Sequence, residues 1–162
     1  MSDVNLSGYI PGAIGRVTEL HATYYHETWD FDLFFEAKVA TELSEFLNRF
    51  DATRDGFWMA VADGKMVGCV AIDGLEADTQ GARLRWFIVA PEYQGYGIGK
   101  MLFREALDFC RKANFKRVYL TTFAGLDAAR YLYEAHGFSL CEEHEDNHWG
   151  RTVTEQMFEL LL

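Results

Sequence analysis

Apolar residues recur at the three- and four-residue spacing of amphipathic helices in the first third of the chain. One such pattern runs over residues 11 to about 25. Pro11 suits its first turn, because proline lacks the N–H that a first turn leaves unbonded. A second pattern begins near Phe35, after a break at residues 29–32, and ends near Arg49. The spacing therefore predicts two consecutive helices.

The period changes to the two-residue alternation of strands in the middle of the chain. Residues 57–62 and 65–72 are apolar runs separated by Asp63 and Gly64, and Asp-Gly between two such runs is a strong signal for a two-residue hairpin. Residues 82–89 form a third run, which alternates less cleanly and stops before a proline. The three runs predict an antiparallel meander.

Helix and strand patterns alternate in the remainder of the chain. They first predict a helix that follows a glycine-rich turn at 94–99 and ends at a left-handed Asn114, and then a strand at 117–121. A short helix comes next, between a capping Asp127 and Gly137. Two strands, at 138–141 and 153–161, complete the prediction. No repeat, linker or low-complexity stretch interrupts the pattern. We therefore predict one mixed α/β domain over residues 1–162.

The balance of acidic and basic residues limits the classes of binding partner that we expect. The 162 residues include 15 Lys and Arg against 25 Asp and Glu, which gives a formal net charge of −10. We expect neither nucleic acid nor an anionic membrane as a partner, because both need basic surface to offset phosphates. The acidity suits a cationic partner or serves solubility alone.

Composition also bears on the compartment. Hydrophobic residues make up 49% of the chain, yet no apolar run reaches the roughly 20 residues that a membrane span needs. The first residues lack the basic start and apolar core of a secretory signal. The cysteines, Cys69, Cys110 and Cys141, are odd in number and lack metal-ligand spacing. Together these features predict a cytoplasmic protein without a membrane segment.

The glycine-rich segment 89–100 is the main candidate for chemistry. Glycines between a strand and a helix let a ligand approach the backbone, and the helix N-terminus adds partial positive charge, so the place suits a phosphate or pyrophosphate. A Walker A loop would need glycine at Gln94 and Ser or Thr at Met101, and a dinucleotide fingerprint would need glycine at Lys100. Both fail. A glycine-rich turn without a ligand is the alternative.

The spacing of Gln94, Gly97 and Gly99 fits (Arg/Gln)-x-x-Gly-x-(Gly/Ala), the acetyl-CoA signature of the GNAT acetyltransferases. The flanks resemble the same family. Val89-x-Pro91 precedes the turn, and residues 129–138 are similar to its second motif, Ala-x-x-Leu-Tyr-Glu-x-x-Gly-Phe. The predicted order of elements is also that of the family, so the resemblance extends over most of the chain.

Two further features bear on this resemblance, one that extends it and one that limits it. Residues 122–130 and the ending at 149–156 look similar to the acetyltransferase half of fusions with a winged-helix regulator. Leu126 stands where the family often has Asn, so a cofactor contact from that side chain is in doubt.

The resemblance implies a central, mostly antiparallel sheet with a splayed parallel strand pair, flanked by about four helices. It implies acetyl-CoA as co-substrate, with its pyrophosphate on backbone N–H groups of the turn, its pantetheine along the preceding strand, and an oxyanion-stabilising N–H near Ile88. The residues assigned to acetyl-CoA are Phe87, Ile88, Val89, Gln94, Gly95, Tyr96, Gly97, Ile98, Gly99 and Lys100. Tyr133 is the candidate general acid for the CoA thiolate, with helix packing as its alternative role.

The implied activity is transfer of an acetyl group to a primary amine of a small molecule or peptide, by direct attack in a ternary complex. The alternatives are transfer of a longer acyl chain, and a CoA-thioester sensor that binds without turnover. The last strands are also expected to allow a homodimer, as in relatives.

The acceptor side is less defined. No motif assigns a base, and the candidates, each of which also suits a solvated surface role, are His21, His26, Glu27, Asp73 and Glu76. A cluster of aromatic residues around the break between the first two helices forms either core or the acceptor pocket; its members are Tyr24, Tyr25, Trp29, Phe31, Phe34 and Phe35. An aromatic and acidic pocket would suit a cationic amine.

A metal site is considered for His144 and His148, which are four residues apart with acids between them. The segment 144–148 has the composition of a polar loop between strands, and the pattern is weakly specific. We therefore predict no metal.

Overall fold

The computed structural model describes residues 3–147, 149 and 151–162. In chain order its elements are β1 (Val4–Ser7), α1 (Ala13–Trp29), α2 (Leu33–Asn48), β2 (Gly56–Ala62), β3 (Lys65–Asp73), β4 (Ala82–Val89), α3 (Ile98–Lys112), β5 (Arg117–Phe123), α4 (Asp127–Ala135), β6 (Ser139–Asp146) and β7 (Val153–Leu161). A short 3-10 turn at Pro91–Tyr93 joins β4 to the glycine-rich turn. Within this part of the chain, no helix has the length and apolar character to cross a membrane.

The seven strands form one sheet in the order β1-β2-β3-β4-β5-β7-β6. Strands β4 and β5 pair in parallel, and the other neighbouring strands pair antiparallel. The predicted mixed sheet, mostly antiparallel with one splayed parallel pair and four flanking helices, is confirmed.

Three local predictions differ from the structure. Helix α1 begins two residues after Pro11, because Gly12 adopts a left-handed φ of +94° and forms its N-cap. The spacing analysis does not predict β1, which is too short to show a period and is held by pairing with β2. Strand β6 continues to Asp146 through residues expected to form a polar loop. Most of its side chains are exposed, so pairing with β7 defines it rather than an apolar pattern.

The ends of α3 and α4 follow the prediction in part. Asn114, just after α3, and Gly137, just after α4, both have left-handed φ values, +61° and +94°. Asp127 is the first residue of α4 rather than its cap, and the N-cap position belongs to Leu126, whose side chain makes no capping hydrogen bond.

Helices α1 and α2 lie on one face of the sheet and α3 on the other. Asp73 of β3 binds Arg49, just after α2, with an Nη2–Oδ2 distance of 2.7 Å. Gly68 lies five residues earlier on β3 and therefore presents the opposite face. There, Leu102 of α3 comes within 3.1 Å of the position that a β-carbon on Gly68 would take.

Strands β4 and β5 pair over two residues and then separate. The paired residues are Ala82 with Val118 and Arg83 with Tyr119. Beyond these pairs, the edge of β4 that faces β5 has no strand partner in the described chain. The sheet therefore has an opening in its middle, bounded by the second half of each strand.

A β-bulge in β4 lies at the start of this opening. Between the pairs Arg85–Ala71 and Ile88–Cys69, β4 has two residues where β3 has one. Trp86, one of the two, has a φ of +49°, a left-handed conformation that bulky residues rarely adopt. The bulge breaks the alternation of β4, which explains why the pattern at 82–89 is less clean than in the other strands.

Phe103 on α3 connects the core to the opening. Its side chain is fully buried, and its ring centroid lies 5.5 Å from that of Phe87, 5.7 Å from Tyr133 and 5.6 Å from Phe138. Phe103 thus holds α4 against α3, on the face of the sheet opposite α1 and α2.

We expect Phe103→Ala to lower the free energy of unfolding by about 3–5 kcal/mol, because it removes a fully buried ring and leaves a cavity. Urea denaturation followed by circular dichroism measures the change. Leu33→Ala is the matched control, since Leu33 is 75% exposed and its truncation should change the free energy by less than about 0.5 kcal/mol. A loss below about 1 kcal/mol at Phe103 would contradict the packing described here.

Candidate active site

Two cavities meet at the opening between β4 and β5. The larger, of about 560 Å³ and here named the glycine-loop cleft, lies between the second half of β4, the glycine-rich turn and the start of α4. The smaller, of about 110 Å³ and here named the inner cavity, lies between α1, α2 and the facing sides of β4 and β5. Tyr25, Phe87 and Tyr133 line both. The two cavities therefore adjoin at these three side chains.

The glycine-rich turn presents backbone to the cleft. Gly95 and Gly97 have left-handed φ values of +86° and +84°, which glycine adopts without steric cost. A β-carbon on either would meet no atom within 4 Å, so the space above both is open. Helix α3 begins at Ile98 directly after this turn, and the first N–H groups of a helix have no partner within it. The turn and helix end are thus suited to an anion such as a phosphate.

Nine of the eleven predicted site residues line the glycine-loop cleft; they are Phe87, Ile88, Val89, Gln94, Gly95, Gly97, Gly99, Lys100 and Tyr133. Tyr96 and Ile98 are not among the lining residues. The Tyr96 side chain is 60% exposed, and Ile98 packs into the core. Gly99 permits close contact between α3 and β4, because a β-carbon there would lie 3.3 Å from the ring of Phe87.

Gln94 uses its backbone N–H and its side-chain amide in hydrogen bonds within the protein. Its backbone N–H donates to the Pro91 carbonyl, and its side-chain Nε2 donates to the Val89 carbonyl at 3.0 Å. The side chain thus joins the glycine-rich turn to the end of β4, and the N–H groups that follow it in the turn are the ones available for a ligand.

Tyr133 is buried at the junction of the two cavities. Burial raises the pKa of its phenol to about 12, although a hydrogen bond with Thr122 acts in the opposite direction. Burial also raises the pKa of Tyr25, and the neighbouring Tyr133 and Tyr24 raise it further. Both phenols therefore keep their protons at neutral pH, as a proton donor must.

The inner cavity has aromatic walls and a cationic lining. Tyr25 and Phe35 of the predicted aromatic cluster line it, together with Trp86, Phe123 and Trp149. Phe31 is buried in the neighbouring core, and Trp29 is half-buried and packs against it. Phe34 is exposed, and Tyr24 lines the larger cleft. The charged residues of the lining are Lys38, Glu42, Arg83 and Arg85. The expectation of an acidic pocket is wrong, because the described residues of the lining include three cations and one carboxylate.

Among the candidate bases, His21 alone lines the inner cavity. Its Nδ1 lies 2.8 Å from the Val17 carbonyl, which can only accept, so Nδ1 carries the proton and Nε2 is the unprotonated nitrogen. Burial lowers the pKa of His21 to about 4, against the opposite effect of that hydrogen bond. Asp73 is bound to two arginines. The other three, His26, Glu27 and Glu76, are exposed.

The wall formed by the start of α4 is missing from the predicted cofactor set. Residues 125–129 line the cleft opposite the glycine-rich turn. The family motif at 129–138 points to α4, but periodicity alone gives no sign that its first turn faces a ligand. Leu126 contributes an apolar side chain there, where an Asn would offer hydrogen bonds.

A cluster of possible metal-ligating side chains lies on β6 and β7. His144, Asp146 and Glu155 hold their potential ligand atoms within 4.8 Å of one another. Glu155 also accepts a hydrogen bond from the indole N–H of Trp149 at 2.6 Å. His148, the other half of the considered pair, lies outside the described residues. The absence of a metal stays a prediction.

Comparisons with known proteins address the family. The acetyltransferase (GNAT) family profile matches residues 15–138. N-acetylaspartate synthetase from Xenopus tropicalis is 34% identical over 128 residues, which cover 76% of this chain and 46% of that protein. The chain thus spans less than half the length of this curated relative.

Solved structures share the fold at low identity. An acetyltransferase from Streptococcus agalactiae has a TM-score of 0.75 at 22% identity, over 98% of both chains. An acetyltransferase from Salmonella typhimurium, solved with its cofactor acetyl-CoA, has a TM-score of 0.76 at 14% identity, over 98% of this chain and 94% of that one. Because the family match includes β4, the glycine-rich turn and α4, from which the glycine-loop cleft is built, this chain belongs to the GNAT acetyltransferase family.

Proposed function

We propose that this protein transfers the acetyl group of acetyl-CoA to a primary amine by direct attack in a ternary complex. The observation that carries the proposal is the junction of the two cavities at Tyr25, Phe87 and Tyr133. A thioester in the glycine-loop cleft and an amine in the inner cavity would meet there. Neither would have to leave the protein between steps, so a covalent acetyl-enzyme is unnecessary.

The described residues fit acetyl-CoA as the co-substrate. The open space above Gly95 and Gly97, next to the first N–H groups of α3, suits its pyrophosphate, and Lys100 adds a positive charge to the same wall. The strand edge at Phe87, Ile88 and Val89 lacks a β-strand partner on the β5 side, and it suits the amide groups of pantetheine as an added strand. Tyr96 and Ile98 contribute only through their backbone in this proposal.

Acetyl-CoA supplies the acetyl group as a thioester: the amine nitrogen forms the new C–N bond and the C–S bond breaks. The proton that the amine loses restores the one that Tyr133 gives to the departing CoA thiolate. A backbone N–H of the opened strand, near Ile88, stabilises negative charge on the thioester oxygen. Tyr133 holds the proton that the departing CoA thiolate requires. The raised pKa of Tyr133 keeps that proton in place until it is needed.

Several finer expectations stay predictions. These are a single domain over residues 1–162, a cytoplasmic location, a homodimer, and the likeness to the acetyltransferase half of winged-helix regulator fusions. Strand β6 lies at the edge of the sheet, which leaves its outer side open for pairing between subunits.

We expect Gly97→Val to weaken the binding of acetyl-CoA at least about 10-fold, because the new side chain strains a left-handed residue and fills the space over the helix end. Isothermal titration calorimetry measures the dissociation constant. Gly64→Val is the matched control: Gly64 also has a left-handed φ, +73°, with open space around it, but it lies in the hairpin turn between β2 and β3. Equal affinity in the two variants would overturn the phosphate site.

We expect Tyr133→Phe to lower kcat about 10²- to 10⁴-fold, the usual contribution of a general acid, while acetyl-CoA affinity changes less than about 3-fold. Since the pKa of Tyr133 is raised to about 12 and the acid acts in its protonated form, the wild-type kcat should not fall up to about pH 10. Thiol release from acetyl-CoA gives the rates, and Tyr9→Phe at an exposed tyrosine is the control. An unchanged kcat would remove Tyr133 as the acid.

The same assay separates the alternatives. Higher turnover with a longer acyl-CoA would favour acyl transfer of that length. An absence of thiol release with a broad panel of amines, despite tight acetyl-CoA binding, would favour the sensor.

A further inference from the structure

The inner cavity has the opposite charge sign to the rest of the chain. The whole chain carries a formal charge of −10, yet among the described residues Lys38, Arg83 and Arg85 line this cavity against one carboxylate, that of Glu42. Desolvated cations in an acidic protein are costly unless they are paired. An anion bound in this cavity would therefore offset the excess of cations in its lining.

The carboxylates near the cavity form ion pairs with two of its cations, Lys38 and Arg85. Glu42 binds both Lys38 and Arg85, and Asp73 binds Arg85 and Arg49. Burial alone would raise the pKa of Glu42, but its hydrogen bond with Lys38 and the charges of Arg85, Lys38 and, more weakly, Arg83 lower it overall, so it stays ionised. The network fixes Arg85, whose guanidinium also lies 4.1 Å from the ring centre of Trp86.

Arg83 is different from its neighbours. Its Nη2 donates to the Thr121 hydroxyl at 3.2 Å, while its Nε is buried without a hydrogen-bond partner among residues 3–147, 149 and 151–162. No carboxylate of these residues lies within ion-pair distance of it. Arg83 and Arg85 are two residues apart on β4 before the bulge, so both point to the same face. A carboxylate between them would supply the partner that Arg83 lacks and offset the repulsion of the two guanidinium groups.

The size of the inner cavity restricts the ligand. At about 110 Å³ it is a fifth of the glycine-loop cleft, so it suits a molecule of amino-acid size and not an aminoglycoside or a long peptide. The cavity adjoins the glycine-loop cleft at Tyr133, where the amine must lie for transfer, and Arg83 and Arg85 of β4 also line it. An acceptor with an amine and a carboxylate a few bonds apart matches this arrangement.

We propose, on the basis of the acetyl transfer proposed above, that the acceptor is a small amine that carries a carboxylate, and that Arg83 binds this carboxylate with Arg85 beside it. Polyamines and other cationic amines without a carboxylate are excluded by the same charges. Arg83 is thus a specificity-determining residue, and it takes no part in the proton transfers.

Matched pairs of acceptors test the proposal in the wild-type protein. β-Alanine and propylamine differ chiefly in the carboxylate, as do alanine and isopropylamine. Spermidine represents the cationic amines. Thiol release from acetyl-CoA gives kcat/KM for each. We expect at least one amino acid to exceed its carboxylate-free partner and spermidine about 30-fold or more. Equal or better use of propylamine or spermidine would overturn the proposal while leaving acetyl transfer intact.

A variant assigns the effect to Arg83. We expect Arg83→Gln to raise KM for the preferred amino acid about 30-fold or more while KM for acetyl-CoA changes less than about 2-fold, and Arg83→Lys to restore part of the loss. Arg104→Gln is the matched control, since it removes the same charge from an exposed position on α3. An unchanged amino-acid KM in Arg83→Gln would overturn the proposal.

A binding measurement keeps the two proposals distinguishable. Succinate has carboxylates but no amine, so it reports the anion site without turnover. We expect calorimetry with CoA present to show succinate binding to the wild type and to Arg104→Gln, but at least about 10-fold weaker binding to Arg83→Gln. Such binding without thiol release from any amine would reject acetyl transfer and retain the anion site. Binding that is equal in all three proteins would overturn the anion site.

Discussion

The separation of β4 from β5 after two residue pairs is the constraint on which the rest of the molecule depends. A continued parallel ladder would close the middle of the sheet, and the two cavities would have no junction. The bulge at Trp86 prevents this by turning the strand away. A tryptophan at a φ of +49° costs free energy, on the order of 1–3 kcal/mol. Three contacts hold it: the Cys69 thiol donates to its carbonyl, Arg85 stacks on its ring, and Phe46 packs beside it.

The electrostatics of the molecule are organised locally, so the net charge of −10 describes neither cavity. Backbone N–H groups and Lys100 make one wall of the glycine-loop cleft suitable for a phosphate in spite of the acidic surface. Beside the inner cavity, Glu42 and Asp73 pair with Lys38, Arg85 and Arg49, and no carboxylate of the described residues lies within ion-pair distance of Arg83. The expected use of the acidity, attraction of a protonated amine, therefore has no support in the lining of the cavity.

Features that depend on residues close together in the sequence can be predicted from it, and features that depend on distant residues cannot. The hairpin at Asp63 and Gly64, and the end of α3 at Asn114, are predictable because turn chemistry is local. Strands β1 and β6 are not predictable in full, since partner strands define them. The motif finds most of the glycine-loop cleft, because one continuous segment supplies most of that wall. Lys38 and Arg83 are distant in sequence, and only the packing of α2 on β4 brings them into one cavity.

The two cavities differ in which atoms form them, and this gives them different tolerance to mutation over evolutionary time. The wall of the glycine-loop cleft is largely main chain, and most side-chain exchanges leave main-chain N–H groups in place. The inner cavity consists of side chains from several elements, so single replacements there can change its charge or width without disturbing the sheet. A descendant of this protein could thus acquire a new acceptor in a few substitutions and still use the same acyl donor.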